Sequence, residues 1–220
     1  MPLERIHLHK ILKLLFSSAP QRRSLLLRDL RLERAKEEGR EANGPDFYTP
    51  FWSDVRAHIF GGNDLHESTE GRIIANPRSR KDLYPKLRDG FLRWWIERRR
   101  WTNEPFRPGR HLKSSYTFAE LGATVKVEGV LSVRDARSAE HFIYPYFGSD
   151  PALSDEAAKL GLWLLIQALP EVLPTEIRIL DIIRGQTFSV DRLPLSGNEE
   201  AKFQEQYRKL IDERNALLAG

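Results

Sequence analysis

The alternation of apolar and polar residues is clearest in the middle of the chain. From Ala123 to Val133, apolar side chains recur at every second position over most of the run, with Lys126, Glu128 and Ser132 on the opposite side. A period of two is typical of a half-buried strand. The pattern predicts one strand over 123–133, followed by a turn and a second strand over His141–Phe147.

The segment after these strands has a different pattern and predicts a buried helix. Ser154 suits an N-cap, and the two acidic residues that follow suit the positive end of a helix dipole. Over residues 157–169 the polar members are Lys159 and Gln167. Most of the circumference of this helix should therefore be buried, and a further strand is predicted over 176–184.

The first half of the chain is mainly helical in pattern. Short helices are predicted over Ile6–Phe16 and Leu25–Glu38, and the Gly-, Pro- and Asn-containing segment 39–50 is typical of a linker or surface loop. We therefore expect residues 1–45 to form a helical arm with a linker. Apolar residues at spacings of three and four predict an amphipathic helix over Asp82–Trp101.

Together these elements predict a mixed α/β fold, with a mostly antiparallel or mixed central sheet and flanking helices. We expect one α/β domain over residues 46–220, with its core over about 80–190. A strand is predicted over 112–121. The last helix is predicted over 199–218, with an apolar face that carries Phe203, Tyr207 and Leu210.

The composition narrows the class of protein. With 40% hydrophobic residues in 220, the chain can bury a sizeable core. It contains no cysteine, which excludes disulfides, thiolate metal sites and a cysteine nucleophile. Neither a secretory signal pattern nor a run of roughly 20 apolar residues is found. We expect a cytoplasmic protein without a membrane partner.

Positive charge is concentrated in one stretch. The net charge is +4, but residues 78–110 hold eleven Lys and Arg against four Asp and Glu, with three tryptophans among them. Basic side chains attract phosphate by counterion release, and exposed rings stack on bases. The alternative is a solvated face whose arginines pair with local acids. The candidate nucleic-acid-binding residues are Arg93, Arg98, Arg99, Arg100, Arg107, Arg110 and, on the buried helix, Lys159.

Three short segments carry a resemblance to a known family: Gly129-Val130-Leu131-Ser132, Tyr144-Pro145-Tyr146 and Lys159-Leu160-Gly161-Leu162-Trp163. Their order along the predicted elements resembles the motifs of the PD-(D/E)XK nuclease superfamily, especially its RecB/Cas4-like branch, over about residues 80–190. The resemblance implies a restriction-endonuclease-like core. It also implies lost catalysis, because the carboxylates, lysine and glutamine of active members are replaced by Ser132, Tyr144, Tyr146 and Lys159.

Three functional hypotheses follow. The first is a non-catalytic protein, without a metal cofactor, that binds DNA, RNA or a protein partner. The second is an active Mg²⁺-dependent nuclease, because Mg²⁺ prefers oxygen ligands and carboxylates remain nearby. The third is a structural subunit of a nucleic-acid-processing complex, docking through its first or last helices. The carboxylates of the second hypothesis are Glu128, Asp135 and Glu140, with Glu67 or Glu70 as a further ligand.

Two further details predict local geometry. His7 and His9 fall within the first predicted helix, where a spacing of two does not place side chains on one face. Pro145 falls within a predicted strand, which indicates an edge or a bulge because proline cannot donate to a ladder.

Overall fold

The structure is a computed structural model that describes residues 3–40, 46–98 and 106–219, with the backbone alone at 78, 79 and 98. The fold is mixed α/β, which confirms the predicted class. The helices are α1 (Leu8–Phe16), α2 (Ala19–Glu37), α3 (Tyr48–Gly61), α4 (Leu65–Ala75), α5 (Pro77–Arg80), α6 (Tyr84–Arg93), α7 (Asp155–Ala168) and α8 (Glu199–Ala219). The strands are β1 (Arg5–His7), β2 (Arg107–Pro108), β3 (Ser114–Phe118), β4 (Ala123–Val127), β5 (Leu131–Arg134), β6 (Glu140–Tyr146), β7 (Ile177–Asp181) and β8 (Gln186–Phe188).

The strands form two sheets. Sheet A has the order β1-β4-β3, with β1 parallel and β3 antiparallel to β4. Sheet B has the order β2-β5-β6-β7-β8. In sheet B, β6 and β7 are parallel and joined through α7, while the other neighbours are antiparallel. Both sheets are therefore mixed or antiparallel, as the sequence predicts.

The run from Ala123 to Val133 is two strands rather than one. β4 ends at Val127 in sheet A, and β5 begins at Leu131 in sheet B. Gly129 lies between them with a φ of +82°, a conformation that side chains with a Cβ rarely adopt. The prediction of a single strand was wrong because the alternation continues in phase across a glycine turn that changes sheets.

Each face of sheet B packs against a different set of elements. Side chains of Phe142, Tyr144 and Tyr146 join a cluster with sheet A, α1, α7 and α8, which we call the first core. Ile143, from the same strand, joins a cluster with α3, α4 and α6, the second core. Because side chains alternate across a strand, β6 supplies both cores and sheet B is the middle layer.

The helix α7 is buried nearly all round, as its composition predicts. Ser154 is its N-cap, and the Ser154 hydroxyl accepts a hydrogen bond from the Ala157 N–H at 3.2 Å. The helix packs against β3, β7, α1 and α8. Gly161 permits this packing, since a Cβ there would lie 2.7 Å from Ile179 and 3.0 Å from Leu12.

The predicted amphipathic helix over 82–101 is shorter and changes form. Helix α6 is followed by a π-helical turn over Trp94–Arg98, and residues 99–105 lie outside the described part of the chain. Trp94 and Trp95 are both buried, although neighbours on an α-helix point about 100° apart. Both tryptophans lie in the π-helical turn, which is wider than an α-helical turn, and both rings belong to the second core.

The N-terminal segment packs into the first core. Residues 5–7 pair with β4, and Leu8, Ile11 and Leu12 are buried against it. Helix α2 begins at Ala19, earlier than predicted, where the Ser18 N–H donates to the Gln21 side chain. Residues 41–45 lie outside the described part of the chain, so the boundary near residue 45 stays a prediction.

Candidate functional site

The predicted basic residues fall in different layers. Arg93 and Arg107 are exposed, on α6 and on the edge strand β2. The side chain of Arg98 and all of Arg99 and Arg100 lie outside the described part. Lys159 lies on α7, across sheet B from α6, and its Nζ is 3.4 Å from the Ser196 hydroxyl. Lys159 and Arg93 are therefore on opposite sides of sheet B.

Arginines gather where β2, β5 and β6 lie side by side. Arg107 pairs in register with Arg134 of β5, and Arg110 lies two residues after the end of β2. The Arg110 Nε and Arg134 Nη2 atoms both donate to Glu140, at 2.8 and 2.9 Å. We call this surface, completed by a fourth arginine in the β5–β6 turn, the basic edge: Arg107, Arg110, Arg134 and Arg137.

Glu140 is held by the arginines beside it. Burial acts to raise the pKa of Glu140, but the hydrogen bonds from Arg134 and Arg110 outweigh it and lower the pKa. The Arg110 guanidinium also lies 5.3 Å from the centre of the Phe142 ring. A carboxylate that is bound on both oxygens by guanidinium groups is poorly placed to bind a metal ion.

Asp135 is likewise held by its own turn. Its carboxylate accepts hydrogen bonds from the N–H groups of Arg137 and Ala139, at 2.8 and 2.9 Å. These bonds outweigh the effect of burial and lower the pKa of Asp135. Behind it, His141 lies between Asp135 and Glu176, with nitrogen–oxygen distances of 3.5 and 3.2 Å.

Glu128 lies apart from the other two carboxylates. It faces Lys113 at 3.1 Å and His7 at 3.8 Å, where β4 ends. Glu67 and Glu70 are exposed on α4. Within the described ranges, no group of three or more His, Asp or Glu side chains could hold a metal ion. The carboxylates of the nuclease hypothesis are thus engaged with three different sets of partners.

The serine and the two tyrosines that replace the nuclease motifs are buried. Ser132 is buried on β5, opposite Phe142. The Tyr144 hydroxyl accepts a hydrogen bond from the His9 N–H at 2.9 Å, and the Tyr146 hydroxyl donates to the Pro151 carbonyl at 2.8 Å. Burial raises the pKa of both tyrosines. These hydroxyls serve the packing of β6 against neighbouring segments.

A cavity of about 400 Å³ opens at the other end of β6. Four segments of the chain meet there: the β1–α1 junction, the start of α3, the β4–β5 turn and the end of β6. Pro145 lies here, beyond the last residue of β6 that pairs with β5, so it has a strand neighbour on one side only. We call this cavity the aromatic pocket. Its lining residues include His7, His9, Asp46, Tyr48, Trp52, Arg56, Glu128, Tyr144 and Phe147.

Aromatic rings form one wall of the aromatic pocket. The rings of Tyr48 and Phe147 stack, with centres 4.7 Å apart, and Trp52 meets Phe147 edge-on at 5.7 Å. His9 meets both stacked rings at their edges, and the His7 ring stacks on His9 at 5.8 Å. Tyr48 is half-buried and lines the pocket.

The charged side chains that line the pocket are Arg56, Asp46 and Glu128, beside the two imidazoles. Burial lowers the pKa of His9 to about 4, the charges of Lys10 and Lys13 add to this effect, and Asp46 opposes it. Burial also lowers the pKa of His7, which Glu128 opposes. The His9 imidazole is therefore neutral at pH 7.

The sequence pointed to Glu128 and the motif positions Gly129, Tyr144 and Pro145, all of which line this pocket, but it did not predict a cavity. The signal for the rest was the His-x-His pair, which we assigned to one helix. The structure places His7 in β1 and His9 in α1, and the change of backbone at Leu8 brings the rings together. The expectation that they do not share a face was wrong for this reason.

Comparison with protein-family models, with curated proteins and with solved structures finds no match for this chain. The resemblance to the PD-(D/E)XK superfamily therefore stays a prediction. Within the described part of the chain, no helix has the length and hydropathy needed to cross a bilayer.

Proposed function

We propose that this protein binds nucleic acid, DNA or RNA, without cleaving it, and that the basic edge is the contact surface. The observation that carries the proposal is the pairing of Arg107 with Arg134 on neighbouring strands, with Arg110 beside them. A cytoplasmic location and a degenerate nuclease ancestry belong to the same proposal.

The charge balance of the basic edge supports phosphate binding. Four guanidinium groups lie with two carboxylates, Asp135 and Glu140, and both carboxylates already accept hydrogen bonds. Arg107 is exposed and forms no ion pair within the described ranges. A guanidinium that keeps its donors in water is suited to bidentate contact with phosphate.

The same contacts support a role in binding rather than in cleavage. Hydrolysis of a phosphodiester by Mg²⁺ needs carboxylate oxygens that are open to the ion. At the basic edge, the oxygens of Glu140 face two arginines and one oxygen of Asp135 faces two N–H groups.

The proposal is tested by fluorescence anisotropy with labelled 20-nucleotide single strands and duplexes of DNA and RNA, in EDTA, over a series of salt concentrations. We expect binding to single strands that weakens with salt, with a log–log slope of about −2 for three phosphate contacts. Arg107→Ala combined with Arg110→Ala should weaken binding at least tenfold. Arg31→Ala, an exposed arginine on α2, is the matched control and should leave it unchanged.

Two results would overturn the proposal. The first is no binding of any strand at low salt, which would favour a structural subunit that contacts protein. The second is cleavage of the strands in Mg²⁺ or Mn²⁺ that is lost in Asp135→Asn or Glu140→Gln, which would establish the nuclease hypothesis.

A further inference from the structure

Arg56 lines the aromatic pocket, and its positive charge is not paired with a carboxylate in the described part of the chain. Arg56 lies one helical turn after Trp52, so both side chains leave the same face of α3 and reach the turn between β4 and β5. The Trp52 indole N–H donates to the Gly129 carbonyl at 2.7 Å, and an Arg56 Nη atom donates to the Val130 carbonyl at 3.2 Å. The two helical residues thus donate hydrogen bonds to consecutive carbonyls of the turn.

Within the described part of the chain, Arg56 forms no ion pair, and its guanidinium makes one hydrogen bond, to the Val130 carbonyl. A guanidinium has five N–H donors, so most of them remain for another acceptor. The side chain is half-buried, and burial lowers the pKa of Arg56. A partly buried cation without an anion is costly, and a bound oxyanion would remove that cost.

The two carboxylates that line the pocket do not supply this anion. Glu128 faces Lys113 and His7. Asp46 accepts hydrogen bonds from the N–H groups of Tyr48 and Thr49, at 3.1 and 3.0 Å. The positive charge of Arg56 therefore faces a cavity in which the negative charges are already engaged.

The remaining wall of the pocket fits a flat ring. The Tyr48 and Phe147 stack, with Trp52 and His9 at its edges, offers a planar apolar surface beside Arg56. Nucleobases stack on such rings regardless of their identity. A cavity of about 400 Å³ is at the small end for ligand pockets, which suits one ring system with its attached group.

We propose that the aromatic pocket binds one nucleotide, with its base against the Tyr48–Phe147 stack and its phosphate at Arg56. The choice of a nucleotide among ring-bearing anions rests on the proposed function; the requirement for a ring and an oxyanion does not. The nucleotide has two possible sources, a free nucleoside monophosphate or the 5′-phosphorylated end of a strand.

Isothermal titration of the full chain with AMP, adenosine and inorganic phosphate tests the pocket. We expect AMP to bind at least tenfold more tightly than adenosine or phosphate, because each of these carries half of the recognised groups. Arg56→Gln should weaken AMP at least tenfold and leave adenosine unchanged. Tyr48→Leu should weaken AMP and adenosine alike. Arg31→Gln is the control and should change neither.

Folding of the variants is checked by their circular dichroism and thermal melts, and Arg56→Lys provides a second variant that keeps the charge. We expect Arg56→Lys to retain part of the AMP affinity. No AMP binding at millimolar concentration overturns the inference. Equal AMP affinity in folded Arg56→Gln and in the unchanged protein overturns it as well.

Competition against AMP distinguishes the two sources and separates this inference from the proposed function. Displacement by a 5′-phosphorylated oligonucleotide, but not by its 5′-hydroxyl counterpart, assigns the pocket to strand ends. Displacement by neither assigns it to free nucleotide. AMP binding without any oligonucleotide binding upholds the pocket and overturns the basic edge. Oligonucleotide binding without AMP binding upholds the basic edge and overturns the pocket.

Discussion

The two ends of strand β6 differ in how their charged side chains are paired. At Glu140, two guanidinium groups share one carboxylate near the surface, so charge is compensated within the protein. At Tyr144–Phe147, a half-buried arginine borders an aromatic wall without a carboxylate of its own. The difference indicates where a ligand can contribute most. An anion adds least at Arg110 and Arg134, which already share Glu140, and most at the arginines without an acid partner in the described ranges, Arg107 at the basic edge and Arg56 at the aromatic pocket.

The largest expected difference between the two ends is in stability. Phe147 is buried in the second core and touches three aromatic rings of the pocket. Phe147→Ala should lower the free energy of unfolding by about 3–4 kcal/mol, through lost burial and the cavity left behind. Phe147→Leu should cost about 1 kcal/mol. Denaturant titration measures both, and a loss below 1 kcal/mol for the alanine variant would mean that this wall is not part of the core.

The second difference concerns pH. The folded protein holds His9 with a pKa of about 4, below its ordinary value of 6.5. The unfolded chain therefore binds the extra proton first, and the free energy of unfolding should fall as the pH decreases from about 6.5 to 4, by up to about 3 kcal/mol. At the basic edge, Glu140 has a lowered pKa. Its contribution to the free energy of unfolding is therefore lost only when the pH falls below about 4.5.

Denaturant titration at several pH values separates these two windows. His9→Gln should reduce the slope in the upper window, where His7 and His141 also have lowered pKa values, and leave the lower window in place. Glu140→Gln should flatten part of the lower window alone. If His9→Gln retained the full slope between pH 6.5 and 4.5, another group would be responsible and the neutral state of His9 would be wrong.

A smaller effect is expected from the acid of the basic edge. Glu140→Gln removes two ion pairs that are partly exposed, which should cost about 1 kcal/mol of stability. The same change leaves Arg110 and Arg134 without their anion, so oligonucleotide binding should become tighter. Glu205→Gln, which removes a surface ion pair with Lys209 on α8, should leave anisotropy titrations unchanged. Weaker binding in Glu140→Gln would contradict the basic edge as a contact surface.

The smallest expected effect on stability is at Arg107, whose side chain is exposed. Arg107→Ala should change the free energy of unfolding by less than about 0.5 kcal/mol. In oligonucleotide titrations it should reduce the salt slope by about 1, because one phosphate contact is lost. An unchanged slope would remove Arg107 from the proposed contact.

Sequence patterns predicted the elements whose signals are local. The N-cap at Ser154 and the apolar composition of 157–169 were sufficient to predict α7. The spacing of Phe203, Tyr207 and Leu210 was sufficient for α8. The mixed α/β class followed from these helices together with the strands predicted before and after α7. Each of these helices buries one face or nearly its whole surface. Such burial requires apolar residues at regular spacing within a few turns, so it can be read from the local sequence.

The candidate site was harder to predict because it depends on contacts between distant segments. The turn at Gly129 changes sheets without disturbing the alternation, so periodicity could not reveal it. His7 and His9 meet because the backbone changes from strand to helix at Leu8. The sequence does not distinguish Arg56 from the other arginines; the structure places it in a cavity whose two acids, Asp46 and Glu128, have other partners.

The pairing of β1 with β4 sets the order in which the protein can fold. Residues 5–7 pair with residues 124–126. More than a hundred residues therefore separate β1 from its partner strand, and β1 cannot pair until they have been synthesised. The Tyr207 hydroxyl of α8 then donates to the Leu3 carbonyl, which joins the last helix to the same segment. Contacts of such long range slow folding. We expect the first core to assemble only after α8 has been synthesised, so that nascent chains arrested before it remain sensitive to protease near α1.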